Sequence, residues 1–216
     1  MPQFTDTLFF DAADQSGAGD SWSDLENALN DEDDVAIANV NPDEKTRVFE
    51  ATGVKQAVAS GSISLPPDMQ GATITGVEFA YESTAHSNFI DDLVSLILNG
   101  NVVGDNKSLP DAHATGPFGY PTEYYWRVHG GSGDTWGVNL TAADIDGASD
   151  FGIALRHHNT GSTLPRDMRI RRLRVSFEYE ITSVSKIYAG PGLVTGVYLG
   201  SNPVPAVYKG STKVWG

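Results

Sequence analysis

Few stretches of this chain gather side chains that could do chemistry. Asp31-Glu32-Asp33-Asp34 is the densest run of carboxylates, and hard oxygen donors bunched on one turn suit calcium. The run lacks the alternating ligands, central glycine and closing glutamate of a helix–loop–helix calcium loop, so it reads as a solvated acidic turn. Asp91-Asp92 takes the same reading. His157-His158 is a tempting metal pair, but neighbours on a strand point to opposite faces and cannot easily share one ion. His86, His113 and His129 are scattered along the chain, and no histidine is assigned a metal or an acid–base partner. The chain has no Gly-x-Ser-x-Gly elbow, no phosphate loop and no His-Glu-x-x-His. Gly130-Gly131-Ser132-Gly133-Asp134 lacks the strand–helix setting of a phosphate loop and reads as a flexible turn. With no cysteine, disulfides, thiolate metal sites and cysteine nucleophiles are excluded together. No catalytic residue, metal or cofactor is expected.

Aromatic residues offer a different chemistry. Tyr120, Tyr124, Tyr125 and Trp126 lie beside a long stretch, Asp105–Thr122, with little periodicity, and loops of that length tend to carry contacts. Exposed aromatic faces stack on sugar rings, so these four residues are the candidate glycan contact. Core packing is the competing reading, because one of Tyr125 and Trp126 on an alternating strand must face inward. Trp22 and Trp136 read as core or rim packing.

The elements that must position these residues are short and β-rich. Glycine (23) and proline (11) are spread throughout 216 residues, and no long helical period is present. Strands are expected at 4–10, 35–40, 60–65, 73–83, 93–98, 124–128 and 151–157, with a weak pair over 47–58, and 136–140 reads as a strand or the approach to one. Asp11–Asp24 reads as a loop. One helical turn is expected near Trp22–Leu29, capped by Ser21 or Ser23, and another after Thr141, whose spacing to Asp144 suits a capping box. Asn99-Gly100 signals a hairpin. In the last long strand Leu173, Val175, Phe177, Tyr179 and Ile181 alternate with polar residues. Ile170 falls out of that phase, which predicts a bulge near Arg171-Arg172. Eight to ten strands and a long closing strand suit an all-β, jelly-roll-like sandwich over residues 1–182.

Composition bounds the partners. The hydrophobic fraction of 40% is ordinary for a globular protein. A net charge of −14 disfavours nucleic acid, which needs a basic face. Arg166, Arg169, Arg171, Arg172 and Arg174 form the exception. They mark either an anion or partner contact or, by preference, the solvent face of a strand. No signal peptide is visible at the N-terminus, and the apolar runs fall far short of the roughly 20 residues of a membrane helix. Synthesis in a cytoplasm without membrane insertion is the expectation.

The last 33 residues repeat with a step of ten. Ile187-Tyr188-Ala189-Gly190, Val197-Tyr198-Leu199-Gly200 and Val207-Tyr208-Lys209-Gly210 share one phrase, and Val184, Val194, Val204 and Val214 keep the same step. A fixed period means one structural unit repeated. Short strands joined by turns near Gly190, Gly200 and Gly210 are expected, forming an appendage over residues 183–216. So small an array is marginal alone. It must pack on its own sandwich, on other copies or on another protein, through Tyr188, Tyr198, Tyr208, Val214 and Trp215.

Three groups of residues carry a resemblance: Trp22 with Asn27-Ala28-Leu29; Ala72-Thr73-Ile74 with Gly76-Val77; and Trp136-Gly137-Val138-Asn139-Leu140-Thr141 with Asp144-Ile145, leading through Phe151-Gly152-Ile153 to Arg172–Tyr179. In this order they resemble a β-sandwich module of bacteriophage virion proteins. The terminal phrase through Trp215 is similar to the C-termini of phage minor tail and fibre proteins. The resemblance implies a non-enzymatic virion protein of the tail or a fibre. It implies a homo-oligomer, with a trimer favoured, that docks to other virion proteins and presents loops outward, toward a host surface glycan in one version. It supplies no catalytic residues. A capsid decoration or head-fibre protein, a carbohydrate-binding module and a glycan hydrolase are the rival expectations.

Overall fold

A computed structural model describes residues 3–5, 7–29, 33–55, 72–85, 88–113, 123–145, 151–161 and 163–180, together with paired backbone segments at 198–199, 202–203, 207–209 and 212–215. The strands are β1 (Gln3–Phe4), β2 (Leu8–Ser16), β3 (Trp22–Ser23), β4 (Ala36–Val40), β5 (Val48–Lys55), β6 (Thr73–Ala85), β7 (Phe89–Leu98), β8 (Asn101–Val103), β9 (Tyr125–Gly131), β10 (Gly152–Asn159) and β11 (Arg166–Glu180). A 3-10 turn covers Leu25–Leu29, and one short helix, α1, covers Ala142–Ile145. The fold is all-β, antiparallel and sandwich-like, as the strand pattern predicts.

The long strand β11 is its seam. One edge pairs with β6, which carries β9 on its far side; the other edge pairs with β4, β2 and β1 in turn. Strand β2 then leaves β11 and leads into a second layer, β5–β10–β7–β8. Side chains that share no strand pairing meet between the layers. Phe10 of β2 packs edge-on against Phe79 of β6 with ring centroids 6.1 Å apart, and Phe151 meets Phe177 of β11 at 5.5 Å. One contiguous apolar cluster runs through both layers and includes Trp22 and Trp136.

Several local devices follow the residue types. Leu98 pairs with Asn101, so β7 and β8 are joined by Asn99-Gly100 alone, both at positive φ (51° and 70°), as a twist-matched two-residue turn requires. The bulge foreseen in β11 is present: its register against β6 shifts between Arg171 and Arg174, and Arg172 adopts φ 52°. It lets Ile170 and Leu173 both point inward at 0% exposure. The cap before α1 also forms, with the Thr141 backbone N–H donating to Asp144 Oδ2 at 2.8 Å.

Three expectations are corrected. Asp11–Ser16 is not loop but the outer half of β2, polar because it is solvated yet paired with β5 from Ser16↔Val48 to Ala12↔Thr52. The described part of 47–58 is one strand, not a pair: Val48–Lys55 is β5, and 56–58 lie outside the described residues. Trp136–Leu140 is not a strand either. Trp136 sits at φ 55° and drives a fully buried indole inward, where Nε1–H donates to the Val77 carbonyl at 2.9 Å. Gly130 makes room for this ring, since a Cβ there would collide with the Val77 carbonyl oxygen and the Trp136 indole. The expected strand at 60–65 and the boundary near 182 lie outside the described residues.

In the tail, β12 (Tyr198–Leu199) pairs with β13 (Asn202–Pro203), and β14 (Val207–Lys209) with β15 (Thr212–Trp215). Leu199 faces Asn202 and Lys209 faces Thr212, so each hairpin spans the Gly-Ser step of one repeat. The two hairpins keep the ten-residue offset of the sequence.

Candidate functional site

The candidate site is a sealed polar centre between the layers, around Asp91. A bulge in β7 makes it. Opposite β10, His157 pairs with Asp91 and Arg156 with Leu93, which leaves Asp92 as the extra residue. The bulge reverses the inward phase of the strand: Phe89 and Asp91 point inward before it, Val94 and Leu96 after it. Asp92 is turned outward to ion pairs with Lys45 at 2.6 Å and Arg156 at 2.5 Å. Asp91-Asp92 is therefore no solvated turn, and Asp91 is only 4% exposed.

The residues around Asp91 come from four places. Tyr81 of β6 donates its hydroxyl to Oδ1 at 2.8 Å, and His113, after β8, brings Nε2 to the same oxygen at 2.8 Å. Arg127 of β9 grips Oδ2 through Nη2 at 2.8 Å and Nε at 3.2 Å. His157 of β10 places Nε2 at 3.1 Å from the Tyr81 hydroxyl and 3.6 Å from Oδ1. His129 of β9 stacks on Tyr81 with the rings 5° from parallel, its Nε2 3.8 Å from Oδ2. Of the scattered histidines, His113 and His129 thus do converge, with His157; His86 lies outside the described residues. His158, next along β10, points outward, as strand alternation requires.

Hydrogen bonds assign the protons. His129 Nδ1–H donates to the Lys107 carbonyl at 2.9 Å, so its Nε2 is a lone pair. With His113 Nε2–H on Asp91, His113 Nδ1 accepts from Ser83 Oγ at 2.8 Å. Burial opposes charge on Asp91, but the hydrogen bond from His113, followed by the charge interactions with His113, His157 and Arg127, outweighs it and holds the carboxyl far below its usual range. Burial pushes His113, His129 and His157 down, His157 furthest, and raises the Tyr81 phenol. At neutral pH the centre is one carboxylate and one guanidinium among neutral rings.

The chemistry open to this arrangement is limited by access. Ser83, His113 and Asp91 form a serine–histidine–aspartate chain, but Ser83 is 1% exposed, and a nucleophile must reach its substrate. Asp91, His113 and His157 each offer a donor atom within 4.8 Å of one another, a set suited to a transition metal.

The other predicted contacts lie elsewhere. Trp126 is 40% exposed on β9, an edge strand among the described residues, and Tyr125 is 43% exposed, so neither fills the core, contrary to the packing reading. Arg174 lies over the Trp126 ring at 3.8 Å and Arg171 over Tyr124 at 3.9 Å, a cation–π arrangement. Arg171 and Arg172 also pair with Glu82 and Asp33, so the basic stretch is a strand face matched within the chain. This gives Asp33 of the acidic run a role as an ion-pair partner; Asp31 and Glu32 lie outside the described residues. So do Tyr120 and Tyr188. For Tyr198, Tyr208, Val214 and Trp215 the description covers backbone only.

Fold and site together define an antiparallel, sandwich-like β-protein with a closed polar centre. Comparison with protein-family models, with curated proteins and with solved structures found no match for this chain. No helix among the described residues is long and apolar enough to cross a membrane.

Proposed function

We propose that the protein is a non-enzymatic component of a bacteriophage virion, in the tail or a fibre, that assembles with itself and docks through residues 183–216. The observation that carries this reading is the tail: a ten-residue phrase whose last two copies fall into separate two-stranded hairpins. Isolated hairpins are marginal in water, so an array of them calls for a partner surface. The closed polar centre supports the non-enzymatic side of the reading, since its reactive groups are enclosed. A trimer is the favoured assembly, from the resemblance of the tail to phage fibre C-termini. Deleting residues 183–216 leaves a folded sandwich that no longer enters particles, read by electron microscopy of labelled virions and by light scattering. Normal incorporation of the truncated chain rules out docking through the tail, and label on the head instead of the tail favours the decoration reading.

The exposed aromatic edge of β9 supports a glycan-binding role within the same particle. Trp126→Ala then weakens binding to host polysaccharide at least tenfold, measured by calorimetry, while loss of the Arg174 contact lowers the melting temperature by only about 2–4 °C. Unaltered binding assigns the aromatic edge to another contact.

A further inference from the structure

The polar centre holds more donors than its own hydrogen bonds use. His129 Nε2 is a buried lone pair with no hydrogen-bond partner among the described residues, and His157 Nδ1 is buried and unpartnered too. An imidazole whose far nitrogen is tied to a carbonyl or hydroxyl is the usual outer-shell arrangement of a metal ligand. His113 has that arrangement through Ser83, and His129 has it through Lys107.

Spacing decides which atoms can share an ion. Metal–ligand bonds of about 2.0–2.2 Å at tetrahedral angles put donor atoms roughly 3.3 Å apart. His113 Nε2 and His157 Nε2 stand 2.8 and 3.6 Å from Asp91 Oδ1. The Tyr81 oxygen stands 2.8 Å from Asp91 Oδ1 and 3.1 Å from His157 Nε2. Four of the six donor–donor edges thus bracket the required length, and the His113 and His157 donors lie within 4.8 Å of each other. His129 lies on the Oδ2 side, so it borders this set without joining it.

We infer that Asp91 Oδ1, His113 Nε2, His157 Nε2 and the Tyr81 oxygen form a closed, four-donor site for a divalent transition ion of the zinc class. Two nitrogens among the donors favour such an ion over calcium, which takes oxygens. Both histidines stay neutral on binding, their protons moving to Nδ1, and the Tyr81 hydroxyl proton that Asp91 Oδ1 accepts in the metal-free centre is released to solvent, so that Tyr81 binds as a phenolate. On His113 that proton then donates to Ser83 Oγ, and on His157 it occupies the nitrogen that now has no partner. Arg127 grips Oδ2 and leaves Oδ1 to the ion, while Asp111, 3.3 Å from Arg127 Nη1, offsets the guanidinium charge. The donors come from β6, β7, β10 and the segment after β8. One ion there ties the two layers together in a chain with no cysteine for a disulfide. Full enclosure makes the site structural, loaded as the chain folds.

The test refolds the full chain from denaturant with cobalt(II), and separately with zinc or with a chelator. The site gives one cobalt per chain with the strong visible bands of tetrahedral coordination. Zinc at a thousandfold excess over its Kd raises the melting temperature by about 10 °C relative to chelator. His113→Gln abolishes the bands. Should that variant fail to fold, Tyr81→Phe, which keeps the ring, shifts them. Absence of bands and of any zinc-dependent melting shift in the wild-type chain overturns the site. Bands that persist unchanged in His113→Gln or Tyr81→Phe also overturn it, by placing the ion elsewhere.

Discussion

Asp91→Ala will destabilise the metal-free protein by about 3–5 kcal/mol, the usual cost of leaving one member of a buried ion pair alone. Asp91 has a fully enclosed side chain, and Arg127 is 8% exposed at the side chain. Without the carboxylate, the guanidinium keeps only its outer contacts with Asp111. The Tyr81 hydroxyl and His113 Nε2 lose their acceptor in the same step. Domains of this kind hold about 5–15 kcal/mol in total, so the variant stands near the edge of folding. Urea unfolding measures the loss as a fall in midpoint at constant slope. Asp92→Ala is the control. Its partners Lys45 and Arg156 are 43% and 33% exposed at the side chain, and solvent screening reduces each such pair to about 0–1 kcal/mol. Equal losses in the two variants would show that Asp91 is not the centre of the network.

Acid will unfold the metal-free protein before its carboxylates titrate. Burial lowers His113, His129 and His157 below the ordinary value of 6.5, and the Arg127 guanidinium adds to the cost of a second cation beside them. Tyr81 faces them without charge, and Asp91, the one anion among them, stays ionised. In the unfolded chain the three rings take up protons near pH 6.5; in the folded chain they stay neutral. The stability is therefore complete above pH 6.5 and is lost as pH falls toward the lower folded values. Each ring contributes a slope of up to about 1.4 kcal/mol per pH unit, roughly 4 kcal/mol per unit for the three. The Asp91 contribution has the same sign in a lower window: its folded value is also depressed, so its stability persists above its unfolded value of 3.8 and fades only below that. The acid transition between pH 6.5 and 5 thus reports the histidines alone. Unfolding free energies across that window, from denaturant titrations in chelator, should drop steeply for the wild type and less steeply for His157→Gln. A flat profile would mean that the rings are charged or open to water in the folded state.

The two features differ in how visible they were along the chain. Strand β11 was legible down to its bulge, because alternation of Leu173, Val175, Phe177 and Tyr179 sets a phase that Ile170 breaks. The Asn99-Gly100 turn and the Thr141 cap were legible for the same reason: backbone φ and nearby hydrogen bonds depend on adjacent residues. The aromatic edge was half legible. Tyr125 and Trp126 were named, but their exposure depends on β9 being an edge strand, and no local pattern states which strands are edges. The polar centre was not legible. The bulge at Asp92 conceals the inward phase of Asp91, so the pair resembled an acidic turn. The hydrogen-bond partners of Asp91 lie as far away as Arg127, 36 positions along, and His157 lies further still, with no spacing to mark them. A buried Asp, Tyr and Arg together in one stretch of a strand would have been a signal; spread over separate strands they are not.

What the chain determines by itself is its class and its punctuation. Short alternating runs, frequent glycine and proline, the ten-residue tail repeat and the missing cysteine follow from composition and period, because strand, turn and repeat are near-neighbour properties. Tertiary structure decided which side chains share an interior. Strand order brought β6 and β9 over β7 and β10 and shut six ionisable side chains and a serine away from water. Enclosure follows from long-range pairing and from one extra residue in one strand, and it converts ordinary histidines into neutral donors around a single carboxylate.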